Sequence, residues 1–271
     1  MAISSGDDLK HAAIFSGPQH PQVPNAPRVA LAMRTTDRRR CVMPATENYV
    51  RATVAALVQQ GVTDWHLQLS KRADAEWVGH ELGDLCARLR VRVPEHDLSP
   101  NATALAALGA VDLDTADWVL LLEDDLAFCR DFVPSVRRWL GHHAMTTRNV
   151  YRFFGFHAPV SKHAPAFEHS LDNLCGSQTI ALRCEDARDF VAWGVANLAT
   201  WREPAQADPG MAFDKFVAAW ALGRWSGRPG MLSWPFFVDH VGVESSLHKV
   251  TGLAMNHQAF AGSHWAYEPG L

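Results

Sequence analysis

Paired cysteines are missing from this chain. Cys41, Cys86, Cys129, Cys175 and Cys184 are odd in number and widely spaced, with no Cys-x-x-Cys. That pattern excludes a zinc ribbon or a disulfide framework and reads as buried thiols in a reducing compartment. Long apolar runs are missing too, none approaching the roughly 20 residues of a membrane-spanning helix. Residues Met1 to Gly17 mix Asp7, Asp8, Lys10 and His11 with few apolar side chains, so no secretory signal and no membrane span is expected, and the expected setting is the cytoplasm. Nor is there an excess of positive charge. Lys plus Arg number 25 against 29 Asp plus Glu, a net charge of −4, which gives no general attraction to nucleic-acid backbones. No internal repeat or low-complexity tract interrupts the chain.

What is present is enough for a large core: 271 residues, 48% of them hydrophobic and 20% charged. A chain of this size buries most of its apolar surface without help from metal or disulfide. Four prolines between Gly17 and Pro27 rule out a helix or an inner strand there, so the fold is expected to start after a leader. Arg28–Met33 reads as a strand. Val50, Val54, Leu57 and Val58 then recur at helical spacing, up to a stop at Gly61. A second strand is expected over Trp65–Leu69. A helix carrying Val78, Leu82, Leu85 and Leu89 follows, then a strand over Val91–Val93. Asn101 is the expected N-cap of an Ala/Leu helix to Val111, and Trp118–Leu122 is an all-apolar strand. Such β-α-β-α alternation predicts an α/β protein with a parallel sheet and helices on both faces.

The second half is less regular. Val150–Phe156 and Gln178–Leu182 read as strands, separated by a loop-like stretch. Helices are expected over Glu185–Ala199 and Ala212–Leu222, and a last strand near Leu232–Val238.

Chemistry concentrates where the Trp118–Leu122 strand ends in Glu123, Asp124 and Asp125. In an open parallel sheet the carboxyl ends of the strands form the ligand crevice, so the three acids are expected at its mouth. Alternation along an extended chain sends Glu123 and Asp125 one way and Asp124 the other. One carboxylate then suits a divalent cation and another a sugar hydroxyl. A helix N-terminus capped by acids is the alternative.

An apolar strand ending in Glu-Asp-Asp after a β-α-β-α half resembles the acidic DxD motif of nucleotide-sugar glycosyltransferases with the GT-A fold. Three later stretches follow the order of that family. Gly176 and Ser177, in Leu174–Leu182, are similar to the glycine-containing loop that lies against the donor sugar. Asp214, in Met211–Trp220, matches the catalytic base of inverting members, although Phe213 stands where the family commonly has a second acid. His240 lies in Pro-x-x-Val-x-His-x-Gly-x-x-Ser-Ser, Pro235–Ser246, which resembles the branching N-acetylglucosaminyltransferases and their bacterial relatives.

The resemblance implies Mn²⁺ or Mg²⁺ held by Asp125 and His240, with Glu123 and Asp124 at the donor. Ser245, Ser246 and Lys249 are implied at the donor diphosphate, and Arg34, Thr35 and Asp37 at the nucleobase and ribose. It further implies a mostly parallel, Rossmann-like sheet; from the proline run and the length, a leader is expected over 1–27 and one domain over 28–271. Within that domain a nucleotide-binding half, 28–130, precedes an acceptor-side half, 131–271.

The implied activity is transfer of a sugar, with inversion, from a UDP-sugar or similar donor to an acceptor hydroxyl. Two other readings stay open: a metal-dependent phosphoesterase or nucleotidyltransferase, and a non-catalytic nucleotide-sugar binding module. Of the ten tryptophans, Trp193, Trp201, Trp225 and Trp265 fall near expected loops or helix ends, where a flat ring can stack on a sugar.

Overall fold

The computed structural model describes residues 26–35, 49–62, 65–85, 89–143, 150–154, 166–169, 174, 178–201, 213–225, 230–233 and 236–240. The first part runs β1 (Val29–Thr35), α1 (Tyr49–Gln59), β2 (Trp65–Leu69), α2 (Asp74–Leu82), β3 (Arg90–Arg92), α3 (Pro100–Ala110) and β4 (Trp118–Leu122). It continues through β5 (Leu126–Phe128), α4 (Phe132–His143), β6 (Tyr151–Arg152), β7 (Ala166–His169), β8 (Thr179–Arg183), α5 (Cys184–Asn197), α6 (Phe213–Arg224), β9 (Gly230–Ser233) and β10 (Val238–His240).

Eight strands form one sheet in the order β3-β2-β1-β4-β8-β6-β9-β7. Strands β1 to β4 pair in parallel, β8 runs antiparallel to β4 and β6, and β7 runs antiparallel to β9. The expected α/β fold class, mostly parallel with flanking helices, is therefore what the chain adopts. Alternation along the strands divides the interior in two. Leu31, Met33, Leu120 and Leu122 face a core with Val54 and Leu57 of α1, Trp77 and Val78 of α2, and Val136 and Trp139 of α4. Ala32, Val119 and Leu121 face the opposite core with Leu105 and Leu108 of α3, Phe190 of α5, and Phe216 and Trp220 of α6. β4 is buried on both faces, which is why it reads as an unbroken apolar run.

Several boundaries differ from expectation. The α3 N-cap is Ser99, whose Oγ accepts from Ala102 N at 3.3 Å, with Pro100 opening the first turn; Asn101 is fully buried within that turn. The helix over Phe132–His143 and the strand β7 fall where no element was expected, and the single last strand is two, β9 and β10. No described helix is long and apolar enough to cross a membrane.

Candidate functional site

In sequence order the strands grow from β1 through β2 to β3 on one side, and then β4 returns to the other side of β1. The crevice outside the carboxyl ends of β1 and β4 is the switch point where open α/β sheets bind ligands. Two consecutive residues of β1 meet two consecutive acids across it. Arg34 Nη2 donates to Glu123 Oε1 at 2.6 Å, and the Thr35 hydroxyl donates to Asp124 Oδ2. Arg34 faces the α3/α5/α6 layer and Thr35 the other, so Glu123 and Asp124 diverge as strand alternation predicts.

Arg34 ties three elements together. Besides Glu123 it donates to the carbonyl of Pro100, at the start of α3, at 3.0 Å, and its guanidinium carbon lies 4.9 Å from the ring centroid of Phe213, the first residue of α6. The next residue is Asp214, half-buried, whose Oδ1 accepts from Lys215 N at 2.9 Å. The expected base is thus held to the acidic strand end through Arg34 and Phe213.

Asp124 and Asp125 are both buried, at 3% and 1% exposure. The chain then enters β5, which pairs antiparallel with β10 in a two-stranded ribbon, with Leu126 opposite His240, Ala127 opposite Asp239 and Phe128 opposite Val238. This register sets the backbone of His240 against the residue that follows Asp125; the His240 side chain lies outside the described residues. Asp37, Gly176, Ser177, Ser245, Ser246 and Lys249 also lie outside them. Among the described residues no three His, Cys, Asp or Glu side chains are grouped to hold a metal ion. In its chemistry, the donor set of buried carboxylates with a histidine on the adjoining strand suits Mn²⁺ or Mg²⁺, because carboxylate oxygens are hard ligands and imidazole adds a borderline one.

Several polar residues of this edge escaped the sequence reading. The Ser70 Oγ, both amide atoms of Asn101 and the Gln178 Oε1 are buried with no hydrogen-bond partner among the described residues. Ser70 N donates to Thr35 O at 3.0 Å, and Glu123 N donates to Gln178 O at 3.1 Å, so both residues flank the crevice. An unsatisfied buried polar group costs about 1–3 kcal/mol, and a polar ligand removes that cost. Asn101 reads as an ordinary helix cap in sequence, and a serine ending a strand carries no signal by itself.

Three of the four tryptophans singled out for sugar stacking are engaged otherwise. Trp193 and Trp201 pack on Phe216 at centroid separations of 5.0 and 5.2 Å, and Trp225 packs on Trp220 at 4.9 Å. They belong to the aromatic layer that holds α5 to α6. Trp265 lies outside the described residues.

No family model and no curated protein matches the chain. Among solved structures it is similar to 4-diphosphocytidyl-2C-methyl-D-erythritol synthase from Anaerococcus prevotii DSM 20548, at 10% identity over 71% of this chain and 83% of that one, TM-score 0.43. It is similar also to S. aureus TarS, at 13% identity over 76% of this chain and 34% of that one, TM-score 0.44. A third is S. aureus TarS 1–349 in complex with UDP-GlcNAc, at 13% identity over 76% of this chain and 55% of that one, TM-score 0.43. The chain thus spans about a third of TarS.

Proposed function

We propose that the protein is a metal-dependent glycosyltransferase that moves a sugar, with inversion, from a nucleoside diphosphate donor to an acceptor hydroxyl. The observation that carries this reading is the β5–β10 register, which sets the backbone of His240 beside the acidic turn at the switch point of the sheet. The unpartnered polar atoms of Ser70, Asn101 and Gln178 at the same edge support a polar ligand there. The sequence resemblance supplies the chemical class.

In this reading Asp125 and His240 would hold Mn²⁺ or Mg²⁺, and the ion supplies charge neutralisation for the departing diphosphate. The remaining work falls to the chain. Thr35 holds the Asp124 carboxylate, and Arg34 balances Glu123 in a site that excludes much of the solvent. Ser245, Ser246 and Lys249 would donate to phosphate oxygens, with Gly176 and Ser177 against the sugar and Asp37 at the ribose. A carboxylate oxygen of Asp214 takes the proton of the acceptor hydroxyl as that oxygen bonds to the anomeric carbon. The bond from that carbon to the diphosphate breaks at the same time, and the nucleoside diphosphate leaves.

The test is incubation with a panel of nucleotide sugars with and without Mn²⁺, reading products by mass spectrometry. Nucleoside diphosphate with free or transferred sugar, lost in Asp125→Asn, is the expected result. A nucleoside monophosphate product assigns the site to phosphoester chemistry. Tight binding without turnover, unchanged in Asp214→Ala, makes it a binding module.

A further inference from the structure

The α1 face that packs on the sheet carries Val50, Val54 and Leu57, and among them stands Thr53, fully buried. Positions 50, 53, 54 and 57 share one face of a helix, so a hydroxyl there interrupts an otherwise apolar stripe. All its bonds go to the acidic turn. Thr53 Oγ1 lies 2.9 Å from the carbonyl oxygen of Asp124 and 3.1 Å from that of Leu126, its single proton shared between them, and accepts from Leu126 N at 3.0 Å.

Leu126 therefore turns its N–H and C=O toward α1, although it sits in a strand paired with β10. Antiparallel pairs alternate between bonded and non-bonded positions. Cys129 N donates to Phe237 O at 2.9 Å, which makes the 129/237 position a bonded one and puts 126/240 in the non-bonded phase. The outer edge of β5 at Leu126 has a threonine hydroxyl where a sheet has a neighbouring strand. On one side the turn is held by Thr53 and on the other by β10, and the Asp124 carboxylate is held by Thr35. The helix carrying Thr53 is itself anchored: Arg51 pairs with Asp84 at 2.8 Å and donates to the carbonyl of Glu81.

We propose that Thr53 is the positioning residue of this site, fixing the backbone from Asp124 to Leu126 so that the Asp125 carboxylate is held ready for its ligand. The inference rests on the function proposed above. A hydroxyl is required because the same atom must both donate to a carbonyl and accept from an amide. Valine fills the same volume and does neither, whereas serine does both.

The test compares wild type, Thr53→Val and Thr53→Ser in the full chain, with thermal melts to establish folding. The first readout needs no ligand: hydrogen exchange at the Leu126 amide is expected to speed up in Thr53→Val and return toward wild type in Thr53→Ser, with Ala127 unchanged. The second is Mn²⁺ binding followed by the electron paramagnetic resonance of the free ion with UDP present. Affinity is expected to fall about 10- to 100-fold in Thr53→Val, as for other residues that orient metal ligands, and to recover in Thr53→Ser. Equal exchange at Leu126 in all three proteins overturns the proposal, and so does faster exchange with unchanged Mn²⁺ affinity. If wild type binds neither Mn²⁺ nor UDP, the functional reading falls, and the exchange experiment alone decides whether Thr53 fixes the turn.

Discussion

Arg34 and Phe213 stack across the mouth of the sheet, guanidinium over ring at 4.9 Å, with Glu123 closing the arrangement at 2.6 Å. Through this contact a residue at the end of the first strand sets where the sixth helix begins, and with it where Asp214 stands.

Both partners of the Arg34–Glu123 pair are largely enclosed, with side chains 11% and 16% exposed. Removing one therefore takes a close counter-charge from the other where little solvent reaches it. Arg34→Met is expected to cost about 3 kcal/mol in urea unfolding, and the double variant with Glu123→Leu to recover much of it. Arg34→Lys does not substitute, since an ammonium lacks the planar fork that reaches Glu123 and Pro100 together.

In the proposed reaction Asp214 is the base, and Asp214→Asn keeps the helix start while removing that proton acceptor. Turnover is expected to fall about 10²- to 10⁴-fold while nucleotide-sugar affinity holds, measured by steady-state rates beside calorimetric titration.

Helix α5 packs on Leu105 of α3 at Gly194. A methyl group there would lie 2.5 Å from Leu105 Cδ2 and 2.8 Å from Cδ1, and Leu105 is itself buried. Alanine gains about 1 kcal/mol of helix propensity and loses about 1–3 to overpacking, so Gly194→Ala is expected to be destabilising in wild type. In a Leu105→Ala background the clash is gone and the same change is expected to stabilise, a sign reversal readable from two pairs of denaturation curves.

Burial pushes the Cys129 thiol up to about 12, with Asp131 adding to the shift, and the Cys184 thiol up to about 11. The unfolded chain ionises its thiols at about 8.5. The protonated thiols thus favour the fold fully below that pH, and their contribution declines as pH rises toward 11 and 12. In a Cys41→Ser, Cys86→Ser, Cys175→Ser background, native protein at pH 8 is expected to resist a thiol-disulfide reagent and to release two equivalents on unfolding. Stability should fall steadily above pH 9.

The first four strands were legible because each carries its own local signal: β4 is wholly apolar and ends in charge, and α1 and α2 show helical periodicity. Strands β5, β7 and β10 have three or four residues, too few for a period of two to stand out, and they exist through pairing with distant partners. Helix α4 is not expected from the sequence, although Val136, Trp139 and Leu140 recur at helical spacing. Pro134 falls in its first turn, where proline is tolerated, while it reads as a breaker in sequence. The acids of the site were visible because three carboxylates after an apolar run are a local anomaly. Thr53, Ser70 and Asn101 were not, because a small polar side chain gains meaning only from what surrounds it after folding.

The β5–β10 ribbon also bears on how the chain acquires its site during synthesis. Asp124 and Asp125 leave the ribosome long before the segment that pairs with the three residues after them, and until Val238–His240 arrives one rim of β5 stays open. Every strand of the parallel half can already be in register by then. The candidate site thus gains its β10 edge late, by the docking of three residues, and a nascent polypeptide stopped short of them carries the acids without that edge.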